Sequence, residues 1–218
     1  IAVGEKGRNV DDYREYIEKN IPLAASHNYF VYQGDNMQMT DYVEENADYY
    51  RNYDYDIVMK YSDYAILRKM LGYSEVSLSP GKYLIHCQPY LKKLLEDYGE
   101  AVTVGGNTFY PGGVWSEDFN QYAWEGNGRG FLLIVPDEAV ENRPVVHTMY
   151  AAMTREAVSE AQAEALDAMN DHEEYDTLYI KTQIERETAA NTAAMVFPLC
   201  YLELILTMTA AAILTFQQ

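Results

Sequence analysis

The chain has 218 residues, and its 34 acidic against 16 basic side chains give a formal net charge of −18. That length can bury a core without covalent staples, and the two cysteines, Cys87 and Cys200, fit no disulfide framework, metal or redox spacing. So large an acidic excess opposes binding to a phosphate backbone; nucleic acid is not an expected partner, whereas cationic partners are.

In chain order, "NVDDYREYIEKN" (9–20) spaces Val10, Tyr13 and Ile17 for one helix face. "AASHNYFVYQ" (24–33) reads as a strand followed by a turn at Gly34-Asp35-Asn36, and "DIVMKY" (56–61) as a second, short strand. "SDYAILRKMLG" (62–72) reads as a helix capped by Ser62 and stopped by Gly72. "KYLIHC" (82–87) is a strand, "PYLKKLLEDYGE" (89–100) an amphipathic helix, and "AVTVGGNTFY" (101–110) a hairpin around Gly105-Gly106-Asn107. "FLLIVPDEAV" (131–140) reads as a buried strand ended by Pro136, and "PVVHTMYAAM" (144–153) as another. "TREAVSEAQAEALDAMND" (154–171), opened by Thr154, carries a strong helical signal, and "TLYIKTQIERETAAN" (177–191) begins a helix that runs on toward the C-terminus. No segment repeats at a fixed period. The expected fold class is α+β: a mixed domain of short strands and helices over 1–190, then a C-terminal transmembrane helix over 191–218.

That last assignment rests on "TAAMVFPLCYLELILTMTAAAILTFQQ". Between Ala193 and Phe216 the one charged residue is Glu203, and a helix of that length spans the roughly 30 Å hydrocarbon core at about 1.5 Å per residue. A buried core helix is the competing reading, favoured by Glu203 and Pro198. The absence of any polar stripe favours a membrane span, because an amphipathic helix needs one wet face. Threonine hydroxyls can bond back to the preceding turn.

Catalytic constellations are sparse. His27, His86, His147 and His172 form no H-x-x-x-H pair, and "DHEEYD" (171–176) is explained by a charged break between helices as well as by a metal. His86-Cys87 at a strand end reads as a half-buried cysteine rather than a reactive thiol. "GGNTFYPGG" and "GNGRG" lack both the lysine of a phosphate-binding loop and a strand-to-helix G-x-G-x-x-G context, so they read as turns. No metal, cofactor or catalytic activity is expected. The stretch that stands out is "TDYVEENADYYRNYDYD" (40–56), where aromatic faces alternate with carboxylates. Such a surface suits a cationic amphipathic ligand, since rings attract cations and carboxylates pair with ammonium groups. Tyr49, Tyr50, Tyr53, Asp54, Tyr55 and Asp56 are its candidate ligand-binding residues; the competing reading is a solvated acidic face over half-buried tyrosines.

Several of these stretches resemble one family, the FtsX-like (MacB-type) permeases of ABC transporters, in the Gram-positive group of bacitracin-exporter permeases. "YSDYAILRKMLGYSEVSLSPGKYLI" (61–85), "VTVGGNTF" (102–109) and "GRGFLLIVPDEAV" (128–140) are similar to successive pieces of the family's extracellular domain. "FPLCYLELILTMTAAAILTFQQ" (197–218) is similar to the helix that re-enters the membrane after it. Residues 1–59 and 141–190 match only in general character. The resemblance implies residence in the cell membrane with residues 1–190 extracellular. It also implies further transmembrane helices of the same permease and a separate ATP-binding subunit. The implied activity is export or mechanical handling of an extracellular ligand, such as an antimicrobial peptide or a lipid-linked target, as in resistance to such peptides. A membrane-anchored ligand-binding or sensor domain without transport is the alternative, and a soluble enzyme using the tail as a core helix is a third reading. No catalytic residue of the family carries over.

Overall fold

Residues 1–6, 10–48, 54–119, 130–169 and 177–216 are described in the computed structural model. Two compact units emerge, Ile1–Tyr179 and Ile180–Gln218. The first unit contains the strands β1 (Ala2–Lys6), β2 (Leu23–Gln33), β3 (Ile57–Lys60), β4 (Lys82–Cys87), β5 (Val102–Val104), β6 (Asn107–Trp115), β7 (Phe131–Val135), β8 (Val145–Thr154) and β9 (Thr177–Tyr179). Its helices are α1 (Asp11–Asn20), α2 (Gln38–Asn46), α3 (Tyr61–Met70), α4 (Lys92–Glu96) and α5 (Glu160–Asp167). The second unit is the helix α6 (Lys181–Phe216). The α+β class expected from the sequence is the class found.

Among the described residues the nine strands form one sheet in the order β5-β6-β4-β7-β3-β2-β8-β1-β9. The β3–β7 and β4–β6 pairs are parallel and the rest antiparallel. Side chains alternate between faces along a strand, so each central strand feeds two cores. Val58, Tyr83, Ile85, Phe131 and Leu133 point to one face, where Met39 and Val43 of α2 and Leu95 of α4 cover them. Ile57, Met59, Leu84, Leu132 and Ile134 point to the other, under Tyr64 and Leu67 of α3. This is why "FLLIV" reads as an unbroken apolar run: all five residues of β7 are buried. Each such side chain contributes about 1.5–3 kcal/mol through the area it removes from water.

Several sequence expectations need correction. Residues 154–159 are not helical: β8 runs on to Thr154, and α5 starts after Ser159, which forms a capping box with Gln162. The antiparallel pairing with β2, which extends to Leu23↔Thr154, overrides the helical composition. Ser62 does not cap α3, whose preceding residue is Lys60; its N–H donates instead to Asp137 Oδ1 at 3.0 Å. The helix expected over 89–100 shrinks to a 3-10 turn at Pro89–Leu91 and the five residues of α4. Residues 177–179 pair with β1 as β9 rather than opening a helix, and β1 and α2 have no counterpart in the sequence reading. Gly72 does stop α3: at φ +77° it lets the Tyr73 N–H reach back to the Arg68 carbonyl.

Candidate functional site

The acidic, tyrosine-rich stretch is split by the fold. Its first part is α2, whose Val43 is buried while Glu44 and Glu45 face solvent. Tyr42 turns inward, its ring 4.7 Å from that of Tyr98 and its hydroxyl donating to the Leu94 carbonyl at 3.4 Å. Tyr49, Tyr50 and Tyr53 lie outside the described residues. Asp54 is exposed, and Tyr55 is half-buried against the α3-side core.

Asp56 behaves differently from its neighbours. It is 2% exposed, and its carboxylate accepts from the Met39 N–H at 3.0 Å, the Thr40 N–H at 2.8 Å and the Thr40 hydroxyl at 2.6 Å. The two N–H groups are orphan donors of the first turn of α2, which no side chain of its own N-cap residue satisfies. Burial pushes the Asp56 pKa up, while the three hydrogen bonds pull the other way. A carboxylate so engaged is a long-range helix cap, so of the two acids among the candidate ligand-binding residues Asp54 alone is exposed.

A second constellation surrounds α3. Arg68, 2% exposed, donates to both Glu117 carboxylate oxygens at 3.0 and 3.1 Å, to the Ser74 carbonyl at 3.1 and 3.2 Å, and to the Tyr64 hydroxyl at 3.3 Å. His86 Nε2 lies 2.9 Å from the Glu117 carbonyl, which can only accept. The proton therefore sits on Nε2, and the Tyr64 hydroxyl donates to Nδ1 at 2.8 Å. The result is a closed ring from Arg68 through Tyr64 and His86 to Glu117. Burial pushes His86 down to about 4 and Tyr64 up to about 12, whereas the guanidinium holds the Glu117 carboxyl at about 2. Cys87, on the next residue, is fully buried and its thiol is pushed up to about 12 by that burial, which leaves it inert as a nucleophile.

The same contacts shape a groove. After Gly72 the chain returns along α3, held down by Arg68 at Ser74 and by the Tyr61 hydroxyl on the Val76 carbonyl at 2.7 Å. The groove between helix and returning segment has a volume of about 590 Å³. Its lining includes Ala65, Ile66, Lys69, Tyr73, Glu75 and Val76. Sequence reading missed it because the binding partner of Arg68, Glu117, is 49 residues away. A basic residue on the buried side of a helix face, four after Tyr64, was the available signal.

The unit α6 carries the apolar tail. Within Lys181–Thr207 an 18-residue window reaches a mean hydropathy of 1.5, which makes the helix long and apolar enough to cross a membrane. None of that window is buried in the structure; Phe197 is 74% and Leu206 69% exposed, surface that water would penalise. The Thr207 hydroxyl donates to the Glu203 carbonyl at 2.8 Å, the back-bond that lets threonine sit in an apolar helix. Among the described residues, no group of three or more His, Cys, Asp or Glu side chains is placed to hold a metal ion.

No protein-family model matches the sequence. No curated protein is similar to it. Among solved structures, a candidate lipoprotein from Bacillus anthracis is similar with a TM-score of 0.43 at 10% identity, over 81% of this chain and 96% of its own. A likeness at that level transfers neither an activity nor a topology to this chain.

Proposed function

We propose that this chain is the extracellular domain and flanking transmembrane helix of an ABC transporter permease of the FtsX-like kind. The observation that carries the reading is the pairing of β1 with β9, Ala2 opposite Tyr179 and Val3 opposite Leu178. The chain thus enters and leaves the domain on neighbouring antiparallel strands, the geometry that insertion between two membrane helices requires. One residue, Ile180, separates β9 from α6, and its carbonyl already accepts from the Gln183 and Ile184 N–H groups. A connection of one residue suits a domain that must feel the motion of its helix. ATP hydrolysis in a separate subunit would shift the membrane helices, and the outer domain would hold its ligand with different affinity in the two arrangements. The ligand class is a cationic peptide, drawn by the −18 charge, or a lipid-linked molecule.

Cysteine labelling in intact cells tests the topology. In a Cys200→Ser background, Thr182→Cys should react with an impermeant maleimide from outside, and Thr207→Cys only after solubilisation. Labelling of Thr207→Cys from outside would overturn the span. Copurification of the intact gene product with an ATP-binding subunit, whose hydrolysis responds to cationic peptide, tests transport. A span without such a subunit would leave a tethered binding domain instead.

A further inference from the structure

Glu203 is the one charged residue between Ala193 and Phe216. At about 1.5 Å per residue it lies about 15 Å along α6 from Ala193 and about 20 Å from Phe216, near the middle of a span through a hydrocarbon core roughly 30 Å thick. An acidic side chain at that depth is costly, and such residues face protein or a wet cavity and pair with another group. The helix itself does not supply the partner. From Glu187 to Gln218 there is no lysine or arginine, and Arg186, the base nearest along α6, is about 25 Å away. One turn to either side stand Leu199, Cys200, Leu206 and Thr207. Thr207 is the strongest donor among them, and its hydroxyl is given to the backbone carbonyl of Glu203 rather than to the carboxylate.

The helix period sorts the residues around that carboxylate. Val196, Leu199, Cys200, Leu206 and Thr207 lie within about 60° of Glu203, whereas Phe197 and Tyr201 lie about 120° and 160° around the helix. The two rings leave from a side suited to lipid, where they are 74% and 65% exposed. The Glu203 side carries aliphatic and small side chains, which let a second helix come close. A second copy of α6 would set carboxylate against carboxylate. Charge complementarity instead selects a helix that carries a base.

We propose that the Glu203 face of α6 packs against another transmembrane helix of the same permease, one that presents a lysine or arginine at the same depth. The inference rests on the permease reading and adds a partner to it. The basic side chain pairs with the carboxylate inside the bundle, Val196, Cys200 and Thr207 receive the neighbouring helix, and Phe197 and Tyr201 stay toward lipid.

Photocrosslinking of the intact gene product in cell membranes tests this. A benzophenone side chain installed at position 207 should join α6 to a different span of the same polypeptide, identified by mass spectrometry as one that holds a lysine or arginine; installed at position 201 it should join lipid. Glu203→Lys should lower the yield from position 207 roughly 5-fold, and changing the partner's base to glutamate in that background should restore it. Glu203→Gln, which removes a charge without adding one, should lower the yield less. Crosslinks from position 207 to lipid alone, to a span without a base or to a second α6 would each overturn the proposal. So would equal joining of positions 201 and 207 to one span, a yield that Glu203→Lys leaves unchanged, or a loss that the charge swap does not reverse. All of these leave the span itself standing. The span fails separately, if Thr207→Cys reacts from outside, and the permease reading fails if the gene product holds no other span; either result removes this proposal as well.

Discussion

Replacing Asp56 separates a structural carboxylate from a ligand-steering one. Asp56→Ala leaves the Met39 and Thr40 N–H groups and the Thr40 hydroxyl without their acceptor, in a site 2% exposed. Loss of a helix cap costs about 1 kcal/mol, and buried unsatisfied donors about 1–3 kcal/mol each before relaxation. Relief of the carboxylate's burial, visible in its raised pKa, offsets part of this. The net expectation is a loss of about 2–3 kcal/mol, or a fall in Tm of about 4–12 °C for a domain of this size. Asp56→Asn should fall between, because its amide oxygen still accepts from Thr40 while its NH2 faces the Met39 N–H. Asp54→Asn, at an exposed position, should stay within about 0.5 kcal/mol. Thermal melts of the intact chain in detergent, followed by circular dichroism, read all three. A melt for Asp56→Ala within a degree of the unsubstituted chain would refute the capping argument. If cationic peptides bind the acidic surface, Asp54→Asn should weaken them more at low than at high salt, without touching Tm.

His86 should make the domain acid-sensitive. Its folded pKa of about 4 lies below the ordinary 6.5, so the unfolded chain binds more protons between those values and stability falls as pH falls through that window. Urea unfolding at pH 7.5 and 4.5 should differ by about 2–3 kcal/mol on this account, and His86→Gln should flatten the slope; equal slopes would sink the assignment. Glu117, held at about 2, contributes separately, through stability lost only below about pH 4.5. Arg68→Met should cost about 2 kcal/mol, at the low end for a broken buried pair because Glu117 is 38% exposed. Arg68→Lys should rescue little of it, since an ammonium cannot serve Glu117 and Ser74 together; hydrogen exchange at Tyr73 and Ser74 reports the loss. Gly105→Ala should destabilise by about 3 kcal/mol or more, because φ is +60° and the new Cβ would lie 2.2 Å from the Ala139 carbonyl oxygen. Gly106→Ala, at φ +74° but with nothing within 4 Å, should cost only about 1 kcal/mol; urea midpoints of the pair compare them.

What the sequence reveals here depends on how far each residue's partner lies along the chain. β7 and β4 are legible because five or six consecutive residues share one fate, burial between two layers, and the turn at Gly105-Gly106 is legible because its chemistry is local. α5 and β9 are misread because their state is decided elsewhere: Thr154 by Leu23 across β2, and Thr177–Tyr179 by a strand at the far end of the sequence. The candidate sites follow the same rule. Asp56 looks like one more acid in a run of acids, and only the return of α2's first turn from 16 residues upstream shows it to be a cap. Arg68 falls on the same helix side as Tyr64, but the partners that neutralise it there are visible only once Glu117, Tyr64 and His86 close around it. The tail is the opposite case. Its apolarity is a property of 24 contiguous residues from Ala193 to Phe216, so the sequence alone predicts a helix that water does not suit. In the structure that helix leaves Phe197, Leu199 and Leu206 more than half exposed. An acidic domain joined to a helix long and apolar enough to cross a membrane is the pattern that the proposed span accounts for.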